Sequence, residues 1–190
     1  MSSLSLPVLP EGYRLVRFPL DSARADECLA MRDAILANIA ATNPSWYVIE
    51  ETDDEFRDFF LSPEFVSLGI EAPNGELAGC GVASYRRSEL ELFRSYISPQ
   101  EFAIPGRVAY IELIQVALGY RGFGFQRVFF SELESILASN GARVLTSVVS
   151  PDNKYSLANF RRMGYEFVGE IILQKSGYRR LLAVKKIENS

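Results

Sequence analysis

Gly119, Gly122 and Gly124 follow directly on the apolar run Val108 to Leu118 and precede the amphipathic stretch Gln126 to Ser139. A strand, a tight glycine turn and a helix start make an anion site. The first-turn amides have no intrahelical acceptor, the helix dipole is positive there, and glycines let the backbone approach phosphates. Alone the signal is equally that of a plain tight turn, because Gly119-x-x-Gly122-x-Gly124 has neither the Lys-Ser/Thr of a P-loop nor the spacing of a dinucleotide fingerprint. Within the same run stands Glu112, in Ala109-Tyr110-Ile111-Glu112-Leu113-Ile114. Burial there would raise its carboxyl towards neutrality and make it a general base. The other reading is a structural carboxylate, facing a solvated edge or paired with an arginine such as Arg107. The chain has no histidine and only two cysteines, Cys28 and Cys80. Zinc clusters, CxxC motifs and Ser/His or Cys/His dyads are therefore excluded, leaving carboxylates and tyrosines to carry protons.

The elements that must position these residues follow from periodicity. Tyr13 to Phe18 alternate as a strand; Pro19 and Asp21 set up a helix carrying Cys28, Met31, Ile35 and Ile39 and ending near Ala41. Thr52-Asp53-Asp54-Glu55 is a capping box opening a shorter helix that Pro63 stops. Val66 to Glu71 and Leu77 to Tyr85 form a hairpin about Asn74-Gly75, both residues tolerating positive φ. Arg86 to Arg107 reads as irregular, and Val108 to Leu118 is too apolar for an exposed strand. After the helix from Gln126, closed by Asn140-Gly141, come a buried strand Val144 to Val149 and a helix started by Pro151-Asp152-Asn153 and ended by Gly164. Tyr165 to Gln174 and Tyr178 to Ile187 close the chain as a hairpin turning at Ser176-Gly177. The expected order is β-α-α-β-β-β-α-β-α-β-β: an α/β protein (α+β mixed sheet), with a central mixed sheet of about seven strands flanked by about four helices. Residues 1–11 read as a flexible arm and 12–190 as a single domain, since one core serves chains up to about 250 residues.

This order, the turn and a second pattern resemble the GNAT superfamily of acetyl-CoA-dependent N-acetyltransferases over nearly the whole chain. The family's Gln/Arg-x-x-Gly-x-Gly/Ala falls on Arg121-Gly122-Phe123-Gly124-Phe125-Gln126. Its Asn-x-x-Ala-x-x-x-Tyr-x-x-x-Gly-Phe/Tyr falls on Asn153, Ser156, Phe160, Gly164 and Tyr165 with the spacing kept. The resemblance implies that the backbones of Val116 and Leu118 pair with the pantetheine arm. It also implies that amides of Arg121, Gly122, Phe123, Gly124, Phe125 and Gln126 bind the pyrophosphate, and that Asn153, Ser156 and Phe160 line the cofactor's far arm. An amide near Val116 would polarise the acyl carbonyl, an oxyanion-hole role, and Glu112 matches a glutamate that several family members use as base. Asn153 also reads as a helix cap. Two departures stand out: Phe160 replaces the tyrosine that usually donates a proton, and Gln126 replaces Gly/Ala, crowding the pyrophosphate or adding a hydrogen bond. Either Tyr155 or Tyr165 donates instead, the thiolate leaves unaided, or catalysis has been lost. Tyr155 is retained as the donor, although a helix tyrosine is more often rim packing.

With 48% hydrophobic, 12% aromatic and 23% charged residues the chain is an ordinary globule with a core. Its net charge of -4 argues against non-specific nucleic-acid binding. No apolar run is long enough to span a bilayer and no signal-peptide pattern is present. The expectation is therefore a cytoplasmic protein without nucleic-acid or membrane partners and without a metal, free to form a homodimer but not required to. The reaction implied is direct transfer of an acetyl group from acetyl-CoA to a primary amine of a small molecule or peptide in a ternary complex. The alternative is a non-catalytic acyl-CoA-binding module; a nucleotide-binding protein of another fold is disfavoured because no phosphate-contacting lysine follows the glycines. For the acceptor, Trp46, Tyr47, Phe93 and Tyr96 read as an aromatic wall or as packing under loops. Glu50, Glu51, Asp53, Asp54, Glu55 and Asp58 read as a lure for a cation or a favourable helix start.

Overall fold

The computed structural model describes residues 8–18, 22–40, 43–46 and 50–187. The expected helix start at Pro19 and Asp21, the end near Ala41, Tyr47, and residues 1–7 of the arm lie outside the described residues. In chain order the elements are β1 (Arg14–Arg17), α1 (Ser22–Ile39), α2 (Asp53–Leu61), β2 (Phe65–Glu71), β3 (Leu77–Ser84), α3 (Arg87–Leu90), α4 (Pro99–Ala103), β4 (Val108–Val116), α5 (Phe125–Ser139), β5 (Val144–Val149), α6 (Lys154–Arg162), β6 (Glu166–Ile172) and β7 (Arg179–Lys186). Leu9, ahead of β1, already packs on the core.

The seven strands form one sheet, ordered β1-β2-β3-β4-β5-β7-β6. Every pairing is antiparallel except β4 with β5, which is parallel and confined to Val108–Tyr110 against Val144–Thr146. β2 is buried along its whole length and β3 nearly so, because helices cover both faces. On one face α1 and α2 place Cys28, Phe56, Phe59 and Phe60 against Val82 and Leu113. On the other, α5 places Phe129, Phe130 and Leu133 against Ile70, Ile111 and Leu145. At Gly81 a Cβ would lie 2.9 Å from Phe129, so the bare backbone lets α5 seat directly on β3.

Local chemistry explains the boundaries. The capping box forms as expected, the Thr52 amide donating to Glu55 and the Glu55 amide to the Thr52 hydroxyl. At the first hairpin only Gly75 has positive φ, 84°. The hairpin expected about Asn74-Gly75 forms: the Ala72 amide donates to the Glu76 carbonyl and closes a loop of Pro73, Asn74 and Gly75. The stretch read as irregular carries α3, a 3-10 turn at Glu91–Tyr96 and α4. Leu90, Phe93, Ile97 and Phe102 from this stretch bury against Tyr110, Leu182 and Val184. α4 is announced by Ser98-Pro99-x-Glu101, with the Ser98 hydroxyl accepting from the Glu101 amide. Among the described residues no helix is long and apolar enough to cross a membrane.

Candidate active site

β4 outruns its parallel partner. Beyond Tyr110 the ladder to β5 ends, and two hydroxyls of β5 take over its last bonds: Thr146 donates to the Ala109 carbonyl and Ser147 to that of Ile111, both from buried positions. Past this point the strands splay. The Ala117 amide donates to Ala78 on β3, so the alternate residues Ile114 and Val116 turn their N–H and C=O towards the open side. β4 ends at Val116, and Leu118 opens a 3-10 turn where strand was expected.

That turn delivers the chain to α5 through Gly122 (φ 92°) and Gly124 (φ 81°). Gly124 is the N-cap and supplies no side chain to satisfy the helix start. Among the described residues the Gly124 amide and the first amides of α5, those of Phe125 and Gln126, have no backbone acceptor. Around a helix N-terminus this is a row of donors at the positive end of the dipole. Nothing stands within 4 Å of the Gly122 Cα on its side-chain side, leaving room for a ligand to lie on the backbone.

One cavity of ≈910 Å³ joins the splayed strands to this turn. Bordering it are Glu112, Val116, Arg121, Gly122, Gly124, Phe125, Gln126, Asn153, Tyr155, Ser156 and Phe160, which the fold brings to one place. Two expected residues do not border it. Leu118 lines a separate groove of ≈510 Å³ beside α1, and Phe123 is 48% exposed and stacked on Phe125. Arg127, which periodicity alone placed on α5, also borders the cavity and adds a cation beside the turn.

Glu112 sits where β4 bulges: Val82 pairs with Leu113 and Ala83 with Ile111, leaving Glu112 the extra residue. The bulge points its carboxylate into the cavity, where Oε1 accepts a 2.5 Å hydrogen bond from the Ser84 hydroxyl. Burial pushes the carboxyl up to about 7, and the Ser84 bond pulls against it. Arg107 lies 4.0 Å from Glu101 instead; the arginine within electrostatic reach of Glu112 is Arg86, which pulls its carboxyl down against the burial. Ser84 went unnoticed in the sequence, where a lone serine at a strand end carries no signal.

Phe160 is 4% exposed and packed edge-on against Phe130 and Tyr165. Tyr165 is buried and its hydroxyl has no partner among the described residues, but it does not border the cavity. Tyr155 does, at the rim, 64% exposed and edge-on to Trp46. The Gln126 side chain donates to Ser156 and accepts from Asn159, tying α5 to α6 at the border of the cavity. Asn153 caps α6 by accepting from the Ser156 amide. Of the aromatic wall, Phe93 is core and Tyr96 covers Gly169. Of the acidic cluster, Asp53 and Asp54 pair with Arg32 and Arg57 and Glu55 caps its helix. Glu50 and Glu51 reach the cavity.

The mixed sheet, parted beside its parallel pair, thus holds helix-start amides suited to an anion at one end of the gap and a desolvated carboxylate suited to accepting a proton at the other. Residues 34–165 match the model of the acetyltransferase (GNAT) family. The chain belongs to that family. No curated protein matches it in sequence. Among solved structures it is similar to a GCN5-related N-acetyltransferase from Kribbella flavida (TM-score 0.68, 16% identity, 94% of this chain and 99% of that one). It is also similar to NAA60 of Arabidopsis thaliana, in complex with a bisubstrate analogue (TM-score 0.68, 15% identity, 92% and 100%) and with acetyl-CoA (TM-score 0.67, 16% identity, 92% and 98%). At these identities the likeness is one of fold.

Proposed function

We propose that this protein transfers an acetyl group from acetyl-CoA to a primary amine of a small molecule or peptide, directly and within a ternary complex. The observation that carries the reading is the single cavity joining the free amides at the start of α5 to the carboxylate of Glu112. When bound, acetyl-CoA supplies a thioester open to attack by nitrogen. The chain's own residues do the rest. Amides from Arg121 to Gln126, with Arg121 and Arg127 nearby, hold the pyrophosphate. The Val116 amide, unpaired in the gap, faces the acyl oxygen as charge develops on it.

Glu112 receives the proton that an ammonium must lose before its lone pair can attack, and a carboxyl near 7 is matched to that task at neutral pH. The Ser84 hydroxyl fixes its orientation. A coenzyme A thiol resembles free cysteine, pKa about 8.5, and leaves as thiolate without a strong acid; Tyr155, bordering the cavity where Tyr165 does not, is the phenol assigned to help it. Glu112→Gln tests the reading. We expect kcat to fall by roughly 10²–10⁴, acetyl-CoA binding to persist, and the rise of kcat/KM through about pH 7 to disappear. Binding of acetyl-CoA with no acetyl transfer to any amine by the unmodified protein would replace this reading with that of a binding module.

A further inference from the structure

One side chain bordering the cavity is charged, buried and short of a partner. Arg180 on β7 is 4% exposed. Side chains alternate along the strand, which puts it on the face of Leu182 and Val184, the face that packs with Tyr110. Its Nη1 donates to the Arg179 carbonyl, and among the described residues Nη2 has no acceptor. The carboxylates of Glu50 and Asp152 lie within electrostatic reach of Arg180, yet Nη2 bonds to neither. Glu50 accepts from the Ser176 amide, Asp152 from the Ser45 hydroxyl, and Glu170 from Arg179. A guanidinium stays charged at every physiological pH and presents five donors. Burying it with donors unfilled is strongly unfavourable, so an anion arriving from outside would find a ready site. The carboxylates of Glu112 and Glu51 border the same cavity, and Tyr110 lies within electrostatic reach of both of these and of Arg180.

We infer that the acceptor is an amino-carboxylate, an amino acid or a small molecule like one, whose amine is received at Glu112 while its carboxylate is bound by Arg180. This rests on the acetyl transfer proposed above. The planar fork of a guanidinium matches a carboxylate with two parallel bonds. An amine without the carboxylate leaves the guanidinium unpaired, and sites built around a buried polar group reject ligands that cannot fill it.

The test compares free amino acids with their amides and with the corresponding decarboxylated amines, by acetyl transfer and, separately, by calorimetric titration into the protein saturated with coenzyme A. The wild-type protein should favour the free acids by about tenfold to hundredfold in both kcat/KM and Kd, the loss expected for one charge-assisted pair. Arg180→Met should erase that preference while keeping its melting midpoint, since it removes an unsatisfied buried charge; Arg180→Lys should retain part of it. Equal use of acids and amides by the wild-type protein would overturn the inference and leave acetyl transfer standing. Tight binding of the free acids with no turnover would uphold the carboxylate site and overturn the transfer. A preference unchanged in Arg180→Met would place the carboxylate elsewhere and sink the assignment.

Discussion

Glu112 takes its character from residues in different strands: the bulge between β3 and β4 aims it, Ser84 holds it, and the apolar walls of the cavity withhold water. Its folded pKa, about 7, lies above the 4.5 of a free glutamate, so the folded chain takes up this proton before the unfolded chain does as pH falls. The resulting stabilisation is complete below pH 4.5 and is lost as pH rises through 7. Glu112→Gln never ionises. Relative to wild type its unfolding free energy should grow by about 3 kcal/mol between pH 4.5 and pH 8. Urea titrations at the two pH values would show it, and a constant difference would mean that the carboxyl is well hydrated. Phe160 is the converse case, a ring at the cavity wall whose surroundings, Phe130 and Tyr165, are aromatic and which has no proton to give.

Among the elements, the start of α5 and the start of α2 make a contrast. α2 caps itself with Thr52 and Glu55, whereas α5 begins at a bare glycine in the left-handed region. Thr52→Ala should therefore cost about 1 kcal/mol of stability and leave acetyl-CoA affinity alone. Gly124→Ala should cost a similar amount through backbone strain and also weaken acetyl-CoA binding about tenfold by shifting the amides. Thermal melts with and without ligand separate the two outcomes; equal ligand-induced shifts in both variants would detach α5 from the cofactor. These two helix starts were legible in the sequence because each is written in consecutive residues. The stretch from Arg86 to Arg107 was not, since elements of four to six residues are too short for an apolar face to recur at helical spacing. Only Ser98-Pro99-x-Glu101 could have flagged α4. The same locality divides the site. Gly122, Gly124 and Glu112 stand out within one short run, while Ser84, Ser147, Asn159 and Arg180 meet them only once strands far apart in sequence pair and helices pack.

At the scale of the whole molecule, the sheet is two halves, β1 to β4 and β5 to β7, joined by three parallel residue pairs. A ligand occupying the gap binds the folded state alone. Acetyl-CoA at one hundred times its Kd should raise stability by about 2.7 kcal/mol, a rise of roughly 5–10 °C in melting midpoint for a domain of this size. Hydrogen exchange should slow at Ile114 and Val116, whose amides face the gap, and an absence of protection there would put the ligand elsewhere. The connection after α1 is fastened across this gap from the other side, Glu50 holding the Ser176 amide and the Lys175 ammonium. In mechanical terms the sheet is a pair of plates joined along a short seam and backed by α5, and that fastening is a clasp at the free edge. Loosening it with Glu50→Ala removes one carboxylate and one bond to the turn between β6 and β7, so the plates would swing more widely and exchange the acceptor faster than they exchange the cofactor.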